Sequence, residues 1–178
     1  MKIRTLLILM VLYSINIHAQ NYVPTDKGSK LEFNTSLNGT AVRVTFKEFK
    51  GEIIFDPHNL KNALIDITIK TNNLQTGIPK ADNDLKSVSY FNVGQYPEIK
   101  FKSTSITQDV PGSIVYKMAG NITIKGISKP INVQFTTTPS SSGLMFRGSF
   151  RTNSAYYNFE NSLDNMLVFF LEIRTNKL

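Results

Sequence analysis

Apolar and polar residues alternate along most of the chain from residue 31 onward. Ile65, Ile67 and Ile69, for example, are separated by Asp66 and Thr68. A period of two residues is typical of β-strands that bury one face. The same pattern recurs in segments 31–37, 42–46, 49–55, 65–69, 99–103, 114–124, 131–135, 144–150 and 167–173. It predicts about eight or nine strands, each with one apolar face.

Turn-forming pairs separate these segments, among them Asn38-Gly39, Pro111-Gly112, Lys125-Gly126 and Ser142-Gly143. Short connections between consecutive strands indicate antiparallel pairing. A single open sheet would leave two exposed edges and one uncovered apolar face. The pattern therefore favours closure into a barrel or a two-sheet sandwich.

Residues 71–96 form the one long interruption of the alternation. Asp82 can cap a helix over residues 82–91, in which Leu85, Val88 and Phe91 would share one face. Pro97 cannot continue a helix and suits the first residue of a strand. We therefore expect a short helix that packs across one end of the barrel, either as a plug of the core or as a lid over a cavity.

Aromatic residues concentrate at the end of this interruption, in the segment "SYFNVGQYPEIKF". We expect Tyr90, Phe91 and Tyr96 to lie at one barrel end, with Phe91 facing the interior.

The first residues have the composition of a secretory signal peptide. Lys2 and Arg4 precede the apolar run 6–13, and the small residue Ala19 offers a cleavage site. The run is too short to span a bilayer, which needs roughly 18 apolar residues. The expected organisation is a signal peptide at residues 1–19 and one domain at residues 20–178, exported to the periplasm or secreted.

Composition narrows the chemistry further. The chain has no cysteine and a net charge of +7, to which Lys2 and Arg4 contribute. An exported chain without cysteine has neither disulfides nor thiolate chemistry. The remaining basic residues are scattered singly along the predicted strands, and export conflicts with a nucleic-acid partner, so none is expected.

Candidate catalytic groups are few. His58, in a predicted turn, is the only histidine beyond residue 19, so a Ser-His-Asp triad or a zinc site would depend on it alone. Asp82 and Asp84 are more typical of a helix start than of a cation site. No Gly-rich phosphate loop occurs. The sequence predicts no enzyme, no metal site and no cofactor.

Three segments in the same order resemble the YceI-like family of polyisoprenoid-binding periplasmic proteins. They are "FKGEIIFDP" at 49–57, "DNDLKSVSYFNVGQYPEIKFKST" at 82–104 and "GNITIKGISKPINVQF" at 120–135. The resemblance runs from about residue 24 to the C-terminus. It implies a single antiparallel lipocalin-like β-barrel of about eight strands that holds one long isoprenoid lipid, of polyprenyl or quinone type, as a carrier or a store.

The resemblance also implies no catalysis. Transient membrane contact and a dimer both stay open. We expect the lipid to contact the apolar inward face. The best candidates for ligand-binding residues there are Phe33, Phe46, Ile67, Phe91, Phe101, Met118, Phe135, Phe146 and Phe169.

Two departures from the family pattern concern polar residues. The family often has Arg-Asp-x-His-Leu at the start of the helix, where this chain has Ala81 at the arginine position and Asp84 at the histidine position. The segment "NSAYYNF" at 153–159 lacks the family's aromatic-glycine pair. If the family residues hold a ligand headgroup, this chain binds a different headgroup or none.

Two alternatives stay open at this stage. A small outer-membrane barrel would have a similar length, but it would turn its apolar face outward and its polar face inward. Here that polar face would carry Arg43, Lys47, Lys100, Lys102, Lys117, Lys125 and Arg147. A cell-envelope interaction module with a solid core is the second alternative, and an observed cavity distinguishes it from a lipid carrier.

Overall fold

A computed structural model of the chain describes residues 20–160 and 163–178. The expected signal peptide lies outside the described residues. The strands are β1 (Asn21–Leu37), β2 (Thr40–Phe46), β3 (Phe49–Ile54), β4 (Leu64–Lys70), β5 (Leu74–Gln75), β6 (Glu98–Thr107), β7 (Val115–Ile124), β8 (Ile127–Pro139), β9 (Leu144–Asn153) and β10 (Met166–Lys177). One α-helix, α1 (Pro79–Lys86), and two short 3-10 turns, Leu60–Asn62 and Ser154–Tyr157, complete the elements.

Eight of these strands close into an antiparallel barrel, which confirms the predicted fold class. The order around the ring is β1-β3-β4-β6-β7-β8-β9-β10, and pairing of β10 with β1 closes it. The long strand β1 pairs with β3 at Asn21 and Tyr22, and its second half pairs with β2. Closure leaves the ring without a free edge and is one of the two arrangements that the alternation favoured.

Alternation places the apolar side chains inside the ring. Ile65, Ile67 and Ile69 are buried, whereas Asp66 on the outer face forms an ion pair with Lys102 at 3.2 Å. On the opposite wall Arg147 donates to Glu172 at 3.1 Å, also outside. The outside of the ring is therefore charged and its interior is apolar. A membrane-spanning barrel has the reverse arrangement.

The barrel has two distinct ends. The helix end carries α1, the segment 87–97 and the β7–β8 turn at Lys125-Gly126. The far end carries Gln20, the turn after Phe55, the loop 108–114 and the β8–β9 turn around Gly143. Each end therefore meets solvent through connecting segments rather than through strands.

The short helix exists, but its bounds differ from the expectation of 82–91. It begins at Pro79, whose missing N–H is not needed in a first turn, and ends at Lys86. Asp82 lies inside the helix, and its carboxylate accepts hydrogen bonds from the N–H and the hydroxyl of Thr76, both at 2.6 Å. The carboxylate thus fixes the preceding loop and is not the cap.

We also expected Leu85, Val88 and Phe91 to share one face of the helix, and this prediction was wrong because the helix has different bounds. Because the helix ends at Lys86, Val88 falls in the following turns and is 73% exposed. Leu85 and Phe91 remain buried, and Phe91 is brought inward by turns that include Asn92 in the left-handed conformation, at φ 46°.

Candidate functional site

An apolar cavity lies in the middle of the barrel. The space between the side chains that line it is about 680 Å³, part of it open to solvent, and about 60 Å³ admits the centre of a water molecule. Its wall exposes apolar atoms only. The lining residues that the sequence analysis proposed for ligand binding are Ile67, Phe101, Met118, Phe135, Phe146 and Phe169. The structure therefore brings six of the nine candidates together around one space.

The wall also contains inward residues that the sequence analysis assigned to buried strand faces but not to ligand binding. Among them are Leu31, Ile53, Ile122, Val133 and Phe150. The alternation of apolar and polar residues predicts that these side chains point inward. It does not predict which inward side chains lie level with the cavity along the barrel axis. Selecting mainly aromatic side chains therefore missed much of the aliphatic wall.

Gly120 has a specific role in shaping the wall. It occupies an inward position on β7, and a Cβ atom there would lie 2.6 Å from the ring of Phe101 and 2.6 Å from the carbonyl oxygen of Lys102. The Phe101 ring thus covers the glycine. This arrangement fills the gap that a missing side chain leaves in a sheet.

Three of the nine candidates lie beside the helix end and not on the cavity wall. Phe33, Phe46 and Phe91 pack with Phe159 into an aromatic group that we call the helix-end cluster. The Phe91 ring stands perpendicular to Phe46 at 6.1 Å, and it lies 5.0 Å from Phe159. These contacts agree with the expectation that Phe91 lies at one barrel end and faces inward. Tyr90 is buried at the same end, and Tyr96 lies against Gly126, as also expected.

A second aromatic group, the far-end cluster, closes the opposite end. Phe55 lies at its centre, with ring centroids 5.0 Å from Tyr116, 6.1 Å from Phe135 and 5.4 Å from Phe146. All three contacts are edge-on, a favoured geometry for aromatic pairs. The cavity therefore lies between two layers of rings.

Polar contacts fasten the segment that carries Phe91. The ammonium of Lys125 donates to the carbonyl oxygens of Val88 at 3.2 Å and Asn158 at 2.9 Å. Ser89 and Glu160 are joined twice, through their side chains and through the Glu160 N–H to the Ser89 carbonyl at 3.1 Å. These bonds tie two connecting segments to the β7–β8 turn directly over the helix-end cluster.

The surroundings of Lys125 shift its pKa. Its partial burial lowers the pKa of the ammonium, and the nearby Glu160 carboxylate offsets part of that effect. The ammonium also lies 5.6 Å from the centroid of the Phe159 ring, where a cation is attracted to the ring face. Lys125 therefore holds the helix-end cluster by both hydrogen bonds and ring contact.

Nothing in the described part of the chain assembles a metal centre, since residues 20–160 and 163–178 contain no cluster of three or more histidine, aspartate or glutamate side chains. His58 is exposed in the turn after Phe55, and its N–H donates to Asp56. Among the same residues, no helix is long and apolar enough to cross a membrane.

Comparison with known families assigns the chain. A family profile described as YceI-like domain matches residues 22–174, which spans nearly the whole barrel. The chain belongs to the YceI-like family. This confirms the resemblance inferred from the three sequence segments.

Curated relatives support the assignment over part of the chain. A UPF0312 protein of Photorhabdus laumondii is 37% identical over 49% of this chain and 44% of its own length. The protein YceI of Salmonella arizonae is 32% identical over 51% of this chain and 46% of its own length. The aligned region thus spans a little under half the length of these relatives.

Solved structures share the fold at low identity. BcnA of Burkholderia cenocepacia matches with a TM-score of 0.77 and 19% identity, over 84% of this chain and 98% of that one. A polyisoprenoid-binding domain from Saccharophagus degradans matches with a TM-score of 0.70 and 13% identity, over 90% and 100% of the two chains. At these identities the likeness concerns the fold.

The departures from the family pattern at Ala81 and Asp84 lie on α1. Ala81 is buried, at 7% exposure, and Asp84 forms an ion pair with Lys80 at 2.8 Å on the helix surface. Neither residue lines the central cavity. Whatever the family's arginine and histidine do elsewhere, this chain has a methyl group and a surface ion pair in their place.

Proposed function

We propose that the mature protein, residues 20–178, binds one long isoprenoid lipid inside the barrel and carries or stores it in the periplasm or outside the cell. The observation that supports this most is the apolar cavity at the centre of the barrel. Membership of the YceI-like family and the fold shared with a polyisoprenoid-binding domain point to the same ligand class. The proposed role needs no catalytic step.

Cavity size sets a condition on this role. The volume of about 60 Å³ is smaller than the roughly 150 Å³ of an engineered cavity that binds one benzene molecule. A tail of many isoprene units therefore requires the lining side chains and at least one aromatic cluster to move. We propose that the structure described here is a closed state of the barrel.

Energetics allow such an exchange. Burial of one CH₂ from water contributes about 0.8 kcal/mol, so a tail of about 40 carbons would gain roughly 30 kcal/mol. That exceeds the roughly 20 kcal/mol limit of observed affinities, and the costs of ordering the lipid and opening the barrel reduce it. Because the competing environment is a membrane and not water, transfer between the two apolar hosts can be nearly balanced.

The small cavity also favours one alternative, an envelope interaction module with a solid core. Titration of delipidated protein with a prenyl quinone separates the two. The chain has no tryptophan, so quenching of tyrosine fluorescence, with Tyr116 next to the cavity, is the signal. Saturable quenching at one quinone per chain supports the carrier, and its absence at all concentrations supports the solid core.

A further inference from the structure

One buried hydroxyl in the barrel has no partner. Among the described residues, Oγ1 of Thr35 is inaccessible to solvent and forms no hydrogen bond. Thr35 is 7% exposed and points inward on β1, in the same alternating series as Leu31, Phe33 and Leu37. A buried hydroxyl without a partner destabilises a folded protein, so its presence requires a physical explanation.

The surroundings of Thr35 are apolar. Its cross-strand partner on β2 is Val42, and the register with β10, in which Asn34 pairs with Val168, places Leu167 on its other side. Both of these flanking side chains are buried. Neither flanking side chain therefore offers the hydroxyl a hydrogen-bond partner.

Two of the other buried hydroxyls toward the far end are already bonded. Ser103 Oγ accepts the N–H of Ile65 at 2.9 Å, and Thr175 Oγ1 donates to the Leu144 carbonyl at 2.9 Å. Within the described residues, the remaining unbonded buried atoms are Ser140 Oγ, in the β8–β9 turn, and Arg174 Nε, beside Gly28 on the opposite side of β10 from Ile173. Thr35 thus supplies an unused polar contact at the helix-end side of the interior.

More rings lie outside the sheet at the helix end than at the far end. In the helix-end cluster, Phe91 and Phe159 lie on connecting segments, and Phe33 and Phe46 lie on strands. In the far-end cluster, Phe55 lies just after β3, and Tyr116, Phe135 and Phe146 lie on strands. Moving Phe91 and Phe159 costs packing and a few surface bonds and removes half of the helix-end rings, whereas moving Phe55 leaves three rings held by the backbone ladder at the far end.

We infer that Thr35 is a specificity-determining residue whose hydroxyl bonds the polar head of the lipid, so that the lipid lies with its head toward the helix end and its tail toward Phe55. This inference rests on the proposed function, whose ligand it orients. A hydroxyl can donate to a quinone carbonyl or accept from a prenyl alcohol, so both headgroups fit. A hydrocarbon tail without a head gains nothing from it.

The test compares two ligands and three variants. The ligands are a prenyl quinone and the hydrocarbon with the same prenyl tail, each presented in the same neutral vesicles. Thr35→Val removes the hydroxyl at constant shape, and Thr35→Ser keeps it. Thr137→Val, at an inward position of β8 beside Phe146 toward the far end, is the matched control for the opposite orientation.

We expect wild-type protein and Thr35→Ser to prefer the quinone, and Thr35→Val to lose about fivefold in quinone affinity with hydrocarbon affinity unchanged. Free Thr35→Val should also melt about 2–4 °C higher, because it no longer buries an unbonded hydroxyl. A purely structural role for Thr35 would change stability without changing the preference.

Three outcomes would overturn the inference. The first is that Thr137→Val, and not Thr35→Val, loses the preference for the quinone over the hydrocarbon. The second is that Thr35→Val keeps this preference. The third is a lower melting temperature of Thr35→Val than of wild type, which would indicate that the hydroxyl has a partner. If wild-type protein binds both ligands equally, only the role of Thr35 fails. If it binds neither, the proposed lipid-binding function fails with it.

Discussion

The ring of Phe91 lies 5.8 Å from the ring of Phe33, at an angle of 59° between their planes. This contact joins the segment after α1 to the wall of the barrel. Phe33 in turn lies 5.1 Å from Phe169, which lines the cavity. A continuous set of rings therefore connects the segment after α1 to the central cavity. Four properties should depend on the cavity and its two ends, namely stability, lipid loading, lipid release and stability at alkaline pH.

The first prediction concerns Phe91 itself. Its side chain is 1% exposed, so Phe91→Ala should lower the free energy of unfolding by about 3–5 kcal/mol through lost contacts and a residual cavity. Chemical denaturation monitored by circular dichroism measures the change. Val88→Ala, three residues earlier and 73% exposed, is the control and should change stability by less than about 0.5 kcal/mol. Equal effects of the two substitutions would contradict the inward placement of Phe91.

The second prediction tests the cavity wall. Phe135→Lys puts a charge at an inward, 4% exposed position and should abolish lipid loading, since no carboxylate lies on the apolar wall to pair with it. Gln134→Lys makes the same charge on the outer face of the same strand and should load normally. Uptake of a prenyl quinone is the measurement. Normal loading of Phe135→Lys would exclude the central cavity as the binding site.

A second variant covers the case in which Phe135→Lys does not fold. Ile67→Phe adds apolar volume at the cavity wall and leaves the charge unchanged. Filling the space should reduce loading while the thermal transition stays cooperative. A well-folded Ile67→Phe protein with wild-type loading would argue against the cavity equally well.

The third prediction concerns release at the helix end. Lys125→Met removes the donors to Val88 and Asn158, which should destabilise the closed segment by roughly 1 kcal/mol and raise the dissociation rate of bound lipid. Stopped-flow transfer to acceptor vesicles measures this rate. Lys61→Met, in the 3-10 turn near the far end, is the control. A faster rate in Lys61→Met but not in Lys125→Met would place the exit at the far end.

The fourth prediction concerns alkaline pH. Burial raises the pKa of the Tyr157 phenol above its ordinary value of 10.0, and the hydrogen bond with Thr152, at 2.9 Å, lowers it in part. The folded protein keeps this proton where the unfolded chain loses it. The stabilisation is therefore complete below about pH 10 and is lost as the pH rises through the folded pKa.

Tyr157→Phe should accordingly cost about 1 kcal/mol at neutral pH, where it breaks the bond to Thr152, and lose less stability than wild type above pH 10. Urea denaturation across the alkaline range measures both slopes. Parallel slopes for Tyr157→Phe and wild type would show that Tyr157 does not contribute to the alkaline loss.

Much of the barrel could be predicted because one physical rule governs it. Any strand of a closed ring has one face in water and one in the core, so Ile65, Ile67 and Ile69 had to alternate with polar residues. The alternation did not predict the first part of β1. Tyr22 and Pro24 alternate there as buried residues, but an irregularity between Thr25 and Lys30 separates them from the alternation that starts at Leu31. A bulge adds a residue to one strand and so interrupts the two-residue period on which the prediction depends.

The helix and the aromatic clusters were harder to predict. Asp82 has the composition of a cap, but its carboxylate bonds to Thr76, a contact that depends on the fold of a loop. Phe159 completes the helix-end cluster from a segment without any periodicity. Phe55 was assigned to a strand face, yet its position at the centre of three other rings follows only from the arrangement of β7, β8 and β9.

The central claim is that the barrel interior holds an isoprenoid chain, and the composition of the protein purified from its native host tests it most directly. Solvent extraction followed by mass spectrometry should yield about one isoprenoid lipid per chain, and native mass spectrometry should show the same added mass on the intact protein. Phe135→Lys, purified in parallel, should carry none. Cooperatively folded wild-type protein that repeatedly yields no lipid and takes up no prenyl quinone would contradict the account and leave the solid-core interaction module in its place.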